Sequence, residues 1–362
     1  MKQVIRKSLI DRSVLLNALI VIGFTAAASI AAAPPVVAQG ADAAAVFERV
    51  RALDMRMASI GFRLATANAG LCADLEPGTG VQFHTIDQYP SIDRSILSQQ
   101  FGFDTRAAIA GVVEGSPAAK AGIVANESIA SIGAYRTPAI ASAKDPTELV
   151  NRMYDEIAAF DPVAPLNVAL VSGGRSRTVV VHPVAACRSR FEVDFAGGFG
   201  AEADGRLVKI RAAFFDTYPD DRVAVVIAHE LAHNILRHRA RLNEVGVDRG
   251  LLAGFGRNVR YFRQTEVEAD ILAVHLLANA GYDPALAGQF WRDYGPKYTS
   301  SLFNSRTHPA WRDRARRSDA EAAAIASGQG TALASAFVAR RDQRLDGDWQ
   351  SLIAVPSRAV VR

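Results

Sequence analysis

The 362-residue sequence holds only two cysteines, Cys72 and Cys187, and neither lies in a closely spaced Cys/His cluster. That excludes a thiolate-built metal site and a disulfide-dense scaffold. In an exported chain a lone pair reads as a disulfide closing a long loop, with two buried thiols as the alternative. A basic stripe interleaved with aromatics is also missing. Lys2, Arg6, Lys7 and Arg12 against Asp11 account for +3 of the +4 net charge, so the rest is nearly neutral and no nucleic-acid partner is expected. Beyond the N-terminus no second apolar run is long enough to span a bilayer.

The one long apolar run, from about Val14 to Ala33, follows the basic start and precedes small residues at Ala31-Ala32-Ala33 and Val36-Val37-Ala38. This three-part order reads as a signal peptide over 1–38, interrupted by Pro34-Pro35, and implies export. An uncleaved segment anchoring the chain in the inner membrane is the alternative. No cysteine near the cut supports a lipid anchor.

Texture then divides the chain. Val46, Val50, Leu53, Met57 and Ile60 recur at helical spacing, predicting an amphipathic helix over 41–68 that braces a neighbouring domain. From 70 to 188 short β-rich runs alternate with Gly, Pro and Asp, interrupted by one helix near Pro146 to Ala159. Within them, Gly111 to Ile123 (with Ser116-Pro117-Ala118-Ala119-Lys120-Ala121-Gly122) followed by Ser128 to Gly133 resembles a bacterial PDZ domain. That likeness implies a strand-to-short-helix connection and capture of extended peptides by strand addition. It departs from the PDZ pattern at Asn126-Glu127, where a Gly-Asp turn is usual. From 189 to 327 helical patterns dominate after a strand at Leu207 to Phe215, with a helix capped by Asp220 or Asp221 and running to about Arg239. The tail, 328–362, carries no recognisable chemistry. The fold class expected is α+β: a β-rich unit followed by a mainly helical one with a small sheet.

The chemistry concentrates at His229-Glu230-Leu231-Ala232-His233. Four residues at ~100° each put both imidazoles on one helix face, where they can share a tetrahedral Zn²⁺. Glu230 reaches the reacting water rather than the metal and suits a general base. The flanks Val223 to Ile227 and Leu231 to Leu236 are apolar, so this helix is buried, where unliganded His and Glu side chains are costly. A third His ligand ten positions after His229 is excluded because Arg239 stands there. His238 falls one residue short, off the ligand face, and reads as structural or solvent-facing. The third ligand expected is Glu266 in Gln264-Thr265-Glu266-Val267-Glu268-Ala269-Asp270. Asp270, four residues on, can accept a hydrogen bond from a ligand imidazole; Glu268 points elsewhere and reads as a packing or surface residue.

These two motifs, with Thr307-His308-Pro309 and the arginines that follow, resemble the HtpX-type zinc metallopeptidases, a family that includes CAAX prenyl proteases and periplasmic quality-control proteases. The likeness spans about Asp216 to Arg317. It implies one Zn²⁺ per chain, a periplasmic endopeptidase acting on unfolded or misassembled envelope polypeptides, and a place for His308 near the metal. There His308 either occupies the open position or polarises the substrate carbonyl; without the likeness it reads as a turn cap. Arg306, Arg312 and Arg314 are candidates for substrate or structural ion pairs. The short stretch between His233 and Glu266, with Gly246, Gly250, Gly254 and Gly256, suits a flap or a plain loop. The strand from Leu207 is the candidate platform for an extended substrate. A PDZ-based scaffold with a structural zinc is the competing class, against which the intact Glu230 argues, and a protease dedicated to one regulator is another.

Overall fold

The computed structural model describes residues 36–89, 94–139, 145–247, 258–299, 308–328 and 331–354. Most of the leader, most of the Gly-rich stretch, Arg306 and Thr307 lie outside them. Among the described residues no helix is long and apolar enough to cross a membrane.

Helix α1 (Val36–Ala67) begins earlier than the periodicity suggests and buries Phe47, Leu53, Met57, Ile60 and Leu64 along one stripe. Val46 is half exposed; Phe47 holds the inward position instead. Asn68 ends the helix by donating to the Leu64 carbonyl at 2.9 Å and the Leu276 carbonyl at 3.1 Å. Strand β1 (Leu75–Gly78) later pairs antiparallel with β8 (Val184–Cys187), Leu75 opposite Cys187 and Gly78 opposite Val184, so segments distant in sequence meet. Cys72 and Cys187 are joined there as a disulfide, Cα atoms 5.4 Å apart.

Between them lies a six-stranded sheet built from β2 (Val81–Thr85), β3 (Ala107–Val112), β4 (Ser128–Ile132), β5 (Tyr135–Arg136), β6 (Leu166–Ser172) and β7 (Arg175–Val181). Its order is β2-β3-β4-β6-β7, with β5 on β4 and every pairing antiparallel. Helix α2 (Arg94–Phe101) follows β2. The short α3 (Pro117–Lys120) follows β3, its first turn capped by Ser116 Oγ and started by Pro117. Helix α4 (Glu148–Ile157) lays Leu149, Val150, Met153 and Ile157 over Phe83, Ile109, Ile129 and Leu170. Gly111 of β3 lies under Met55 of α1, where any Cβ would overlap the thioether, so α1 touches this unit as well as the next.

The second unit starts with β9 (Arg190–Asp194), β10 (Ala201–Ala203) and β11 (Leu207–Arg211), ordered β10-β11-β9, with β11 parallel to β9 and antiparallel to β10. The strand expected to run to Phe215 stops at Arg211. Its last residues form α5 (Ala212–Thr217), which drives Phe214 and Phe215 into the core. Helix α6 (Asp220–Ile235) is buried on all sides from Val223 to Ala232, and Pro219, not an aspartate, precedes its first turn. It stops short of Arg239 because Arg237 is left-handed (φ 52°), and α7 (His238–Glu244) leaves in a new direction. Helix α8 (Val259–Asn279) packs along α6. Helices α9 (Leu286–Tyr298) and α10 (Trp311–Ala326) follow, brought close because Gly288 and Gly295 face Asp319 and Trp311. The tail is not an appendage. Helix α11 (Thr331–Ala339) buries Ala334 and Phe337 in this core, and Leu345 joins Leu242 and Val247 before α12 (Gln350–Ile353). The fold is α+β, a β-rich region followed by a helical one.

Candidate metal centre

Helix α6 places His229 and His233 one turn apart with their Nε2 atoms 3.1 Å from each other. Helix α8 brings Glu266 against them: Oε2 lies 3.4 Å from His229 Nε2 and Oε1 lies 3.5 Å from His233 Nε2. Among the described residues this is the group of three His, Cys, Asp or Glu side chains spaced to hold a metal ion. Tetrahedral zinc with ligand bonds of about 2.0–2.1 Å sets its donors roughly 3.3 Å apart; the two imidazole nitrogens stand near that spacing, each Glu266 oxygen reaches one of them, and one ligand atom from each of the three residues lies within 4.8 Å of the others. Asn234 fixes the helix against the sheet, accepting from Gly205 N at 2.7 Å and donating to Ser189 Oγ at 3.2 Å.

Asp270 Oδ1 stands 3.1 Å from His229 Nδ1, although the ring N–H lies off the ideal line. Arg314 explains where Asp270 is held: Nε and Nη2 donate to its two oxygens at 2.6 and 2.7 Å. Its Nη2 also reaches Glu266 Oε2 at 3.4 Å, and its guanidinium stacks 3.5 Å from the centre of the Trp291 ring. Of the two arginine candidates among the described residues, Arg314 is buried in the site and Arg312 lies over the Trp311 ring. His308 Nε2 comes within 3.3 Å of Glu266 Oε2, which brings this sequence candidate to the same carboxylate.

Burial opposes charge on every group here, and whether the neighbours outweigh it decides each outcome. Asp270 and Glu266 outweigh desolvation at His229 and raise it to about 10. His233 is pushed well below the imidazole range by burial, with His229 and His238 adding to the effect. At Glu266 burial is overcome by His308, His229 and His233, which hold the carboxyl well below its usual range. Glu230 goes the other way: desolvation, eased by His229, raises it to about 7, where a base that must both take and return a proton is effective.

Of the two readings of His238, structural and solvent-facing, the structure fits the first: it is 1% exposed, its Nδ1 lying 2.9 Å from His233 Nδ1 and its Nε2 3.0 Å from Glu268 Oε2. Of the packing and surface readings of Glu268, burial fits the packing one, and its carboxylate takes a hydrogen bond from Arg241 at 2.7 Å. Continuing α6 as a straight helix hides this, because the left-handed turn at Arg237 brings His238 back. Strand β11 is not a substrate platform: it is the middle strand, with both edges paired. The free edge near the site belongs to β10, whose Glu202 acts electrostatically on Glu230. A separate cleft of about 1150 Å³, between α1, β2, α4 and β9, contains none of the metal-site side chains.

No family model matches the chain. Its similarity is to metalloendopeptidases. The mitochondrial metalloendopeptidase OMA1 of Schizosaccharomyces pombe (strain 972 / ATCC 24843) is 28% identical over 119 residues, covering 27% of this chain and 35% of that protein. The Arabidopsis thaliana mitochondrial metalloendopeptidase OMA1 is 26% identical over 133 residues, covering 31% and 27%. The matched stretch is thus no more than about a third of either relative. The similarity supports a metallopeptidase and a metal cofactor, in keeping with the His-His-Glu group.

Proposed function

We propose that the protein is a zinc-dependent endopeptidase of the HtpX-like type, exported to the cell envelope and acting on unfolded or misassembled polypeptides. The observation that carries this is the convergence of one donor atom each from His229, His233 and Glu266 within 4.8 Å of one another, with Glu230 buried next to His229 in the helix. His229, His233 and Glu266 would hold the ion; two imidazoles and a carboxylate suit zinc. When bound, zinc supplies a Lewis acid that acidifies water and polarises a peptide carbonyl.

The chain's own residues supply the remainder. Glu230 takes the proton from the attacking water and returns it to the leaving amine, cycling between two states that its raised pKa keeps close in energy. Asp270 and Arg314 hold His229. His308 stands beside Glu266, where it can help polarise the scissile carbonyl or guard the open position. A rate increase in His308→Ala identifies a guard, and a decrease a catalytic partner. The edge of β10 can pair with an extended substrate backbone, a mode indifferent to side chains and so suited to unfolded chains.

The 70–188 region is proposed as a PDZ-like accessory unit. Its edge strand β2 has Phe83 N bonded to Tyr154 Oη at 3.3 Å and Thr85 N bonded to Gln88 Oε1 at 2.9 Å. A peptide adding to this edge must first displace those side chains.

The test compares the mature protein with Glu230→Gln in zinc content and in cleavage of an unfolded model protein. Equal zinc in both, with cleavage by the wild type alone, is expected. A wild type that binds zinc without cleaving points to a scaffold or an inhibited state.

A further inference from the structure

Helix α8 offers three carboxylates at alternate positions, and the account above uses two of them: Glu266 as ligand and Asp270 as partner of His229. Glu268 faces the other way and ends a buried chain that returns to the metal site. It accepts from Arg241 Nη1 at 2.7 Å and Gln264 Nε2 at 2.9 Å. Its Oε2 also lies 3.0 Å from His238 Nε2, and His238 Nδ1 lies 2.9 Å from His233 Nδ1. His238, Arg241 and Glu268 are each no more than 5% exposed, so water does not compete for these bonds.

We propose that His238 is a positioning residue for the metal centre: with Glu268 it fixes the His233 ring so that Nε2 presents its lone pair to the cation. This rests on the metal reading of His229, His233 and Glu266 proposed above. The proton positions follow from the partners. A carboxylate surrounded by donors only accepts, so His238 Nε2 carries the hydrogen. Arg241 already supplies the charge that balances Glu268, leaving His238 a neutral ring with a bare Nδ1. That bare nitrogen requires a donor, so the hydrogen of His233 sits on Nδ1 and its Nε2 is free. Nε2 is the atom that faces His229 Nε2 and Glu266.

Both histidine ligands are thereby oriented from one helix. Asp270 acts on His229 directly, and Glu268 acts on His233 through an interposed imidazole. The chain continues into the tail: Arg241 Nε donates to the Gln343 carbonyl at 2.9 Å, and Gln264 Oε1 accepts from Gly347 N at 2.7 Å. The far end of the relay is anchored by residues remote in sequence from either motif.

The test uses the full mature chain with His238→Leu and His238→Gln, measuring zinc affinity by competition with a chromophoric chelator and folding by near-ultraviolet circular dichroism of the metal-free proteins. A glutamine amide can accept from His233 and donate to Glu268, as the imidazole does; leucine can do neither. His238→Leu is expected to bind zinc about 10–100-fold more weakly, with His238→Gln recovering most of that loss. If the wild type binds no zinc, the metal reading itself fails and this inference with it. If the wild type binds and folded His238→Leu binds equally well, only the inference is overturned. Equal losses in folded leucine and glutamine variants overturn it too, since ring packing rather than the relay then matters. Should the leucine variant not fold, nitrogen NMR of the histidine side chains in the zinc-loaded wild type decides. Hydrogen on His238 Nε2 and His233 Nδ1 is expected, and the opposite tautomer on either ring overturns the proposal.

Discussion

Arg314 grips both oxygens of Asp270, at 2.6 and 2.7 Å, while Asp270 stands 3.1 Å from His229 Nδ1. A helix outside both sequence motifs thus sets the orientation of a proposed metal ligand. Arg314 has no water to replace it, being 4% exposed and stacked on Trp291.

Removing either partner therefore has a different signature. Asp270→Asn is expected to weaken metal binding about 10–100-fold, and the Arg314 guanidinium keeps a carboxylate in Glu266 Oε2 at 3.4 Å. Arg314→Leu leaves a buried carboxylate uncompensated and is expected to destabilise by about 3–5 kcal/mol. Metal competition on the first variant and denaturant unfolding of the second check the pair. An Asp270→Asn protein with unchanged affinity contradicts the assignment.

As the proposed general base, Glu230 is expected to give cleavage its acid limb. A base works only when deprotonated, so cleavage is present above its pKa and lost as pH falls through it. Burial raises that pKa to about 7 and a nearby cation lowers it. The kcat/KM profile at saturating metal is expected to fall about tenfold per pH unit, beginning between the ordinary carboxylate value and about 7. A profile flat down to the ordinary carboxylate value argues against Glu230 as the base.

His84, in β2 of the six-stranded sheet, carries a second pH dependence. It is buried against Tyr89, Phe101 and Phe103, and desolvation, reinforced by Arg51, lowers its pKa to about 3. Below about 6.5 the unfolded chain takes up a proton that the folded one refuses. Stability is therefore full above about 6.5 and falls as pH drops toward 3, by roughly 2 kcal/mol at pH 5. Unfolding of His84→Phe at pH 7.5 and pH 5, compared with wild type, is expected to lack that share of the loss.

The disulfide closes a separation of 115 residues, and the chain-entropy model gives on the order of 4–5 kcal/mol for such a loop. Replacing Cys72 and Cys187 together by alanine is expected to lower the thermal midpoint while zinc content stays unchanged. Loss of zinc in a folded double variant contradicts the separation of the two features.

The grouping of His229, His233 and Glu266 was legible because helical spacing is local: four residues in α6, and one carboxylate opening an apolar stretch of α8. What stayed hidden depends on turns and distant packing. Arg237 adopts a left-handed conformation that no periodicity reveals, so His238 and Glu268 look peripheral on a straight helix. Arg314 could not be separated from Arg312 until α10 lay across α8. The strand at Leu207 was legible, but its place in the middle of β10-β11-β9 was not, since β9 joins it in parallel from across a loop. The Ala-rich tail reads as filler, yet Phe337 is buried because α11 covers a face of α8.

The most direct measurement is X-ray absorption at the zinc edge on the purified mature protein, with metal stoichiometry. The account predicts about one zinc per chain, with nitrogen and oxygen donors at about 2.0–2.1 Å, two imidazoles among them, and no sulfur. Loss of the signal in His229→Ala and His233→Ala is expected as well. Absence of zinc, or a sulfur-ligated ion, contradicts it.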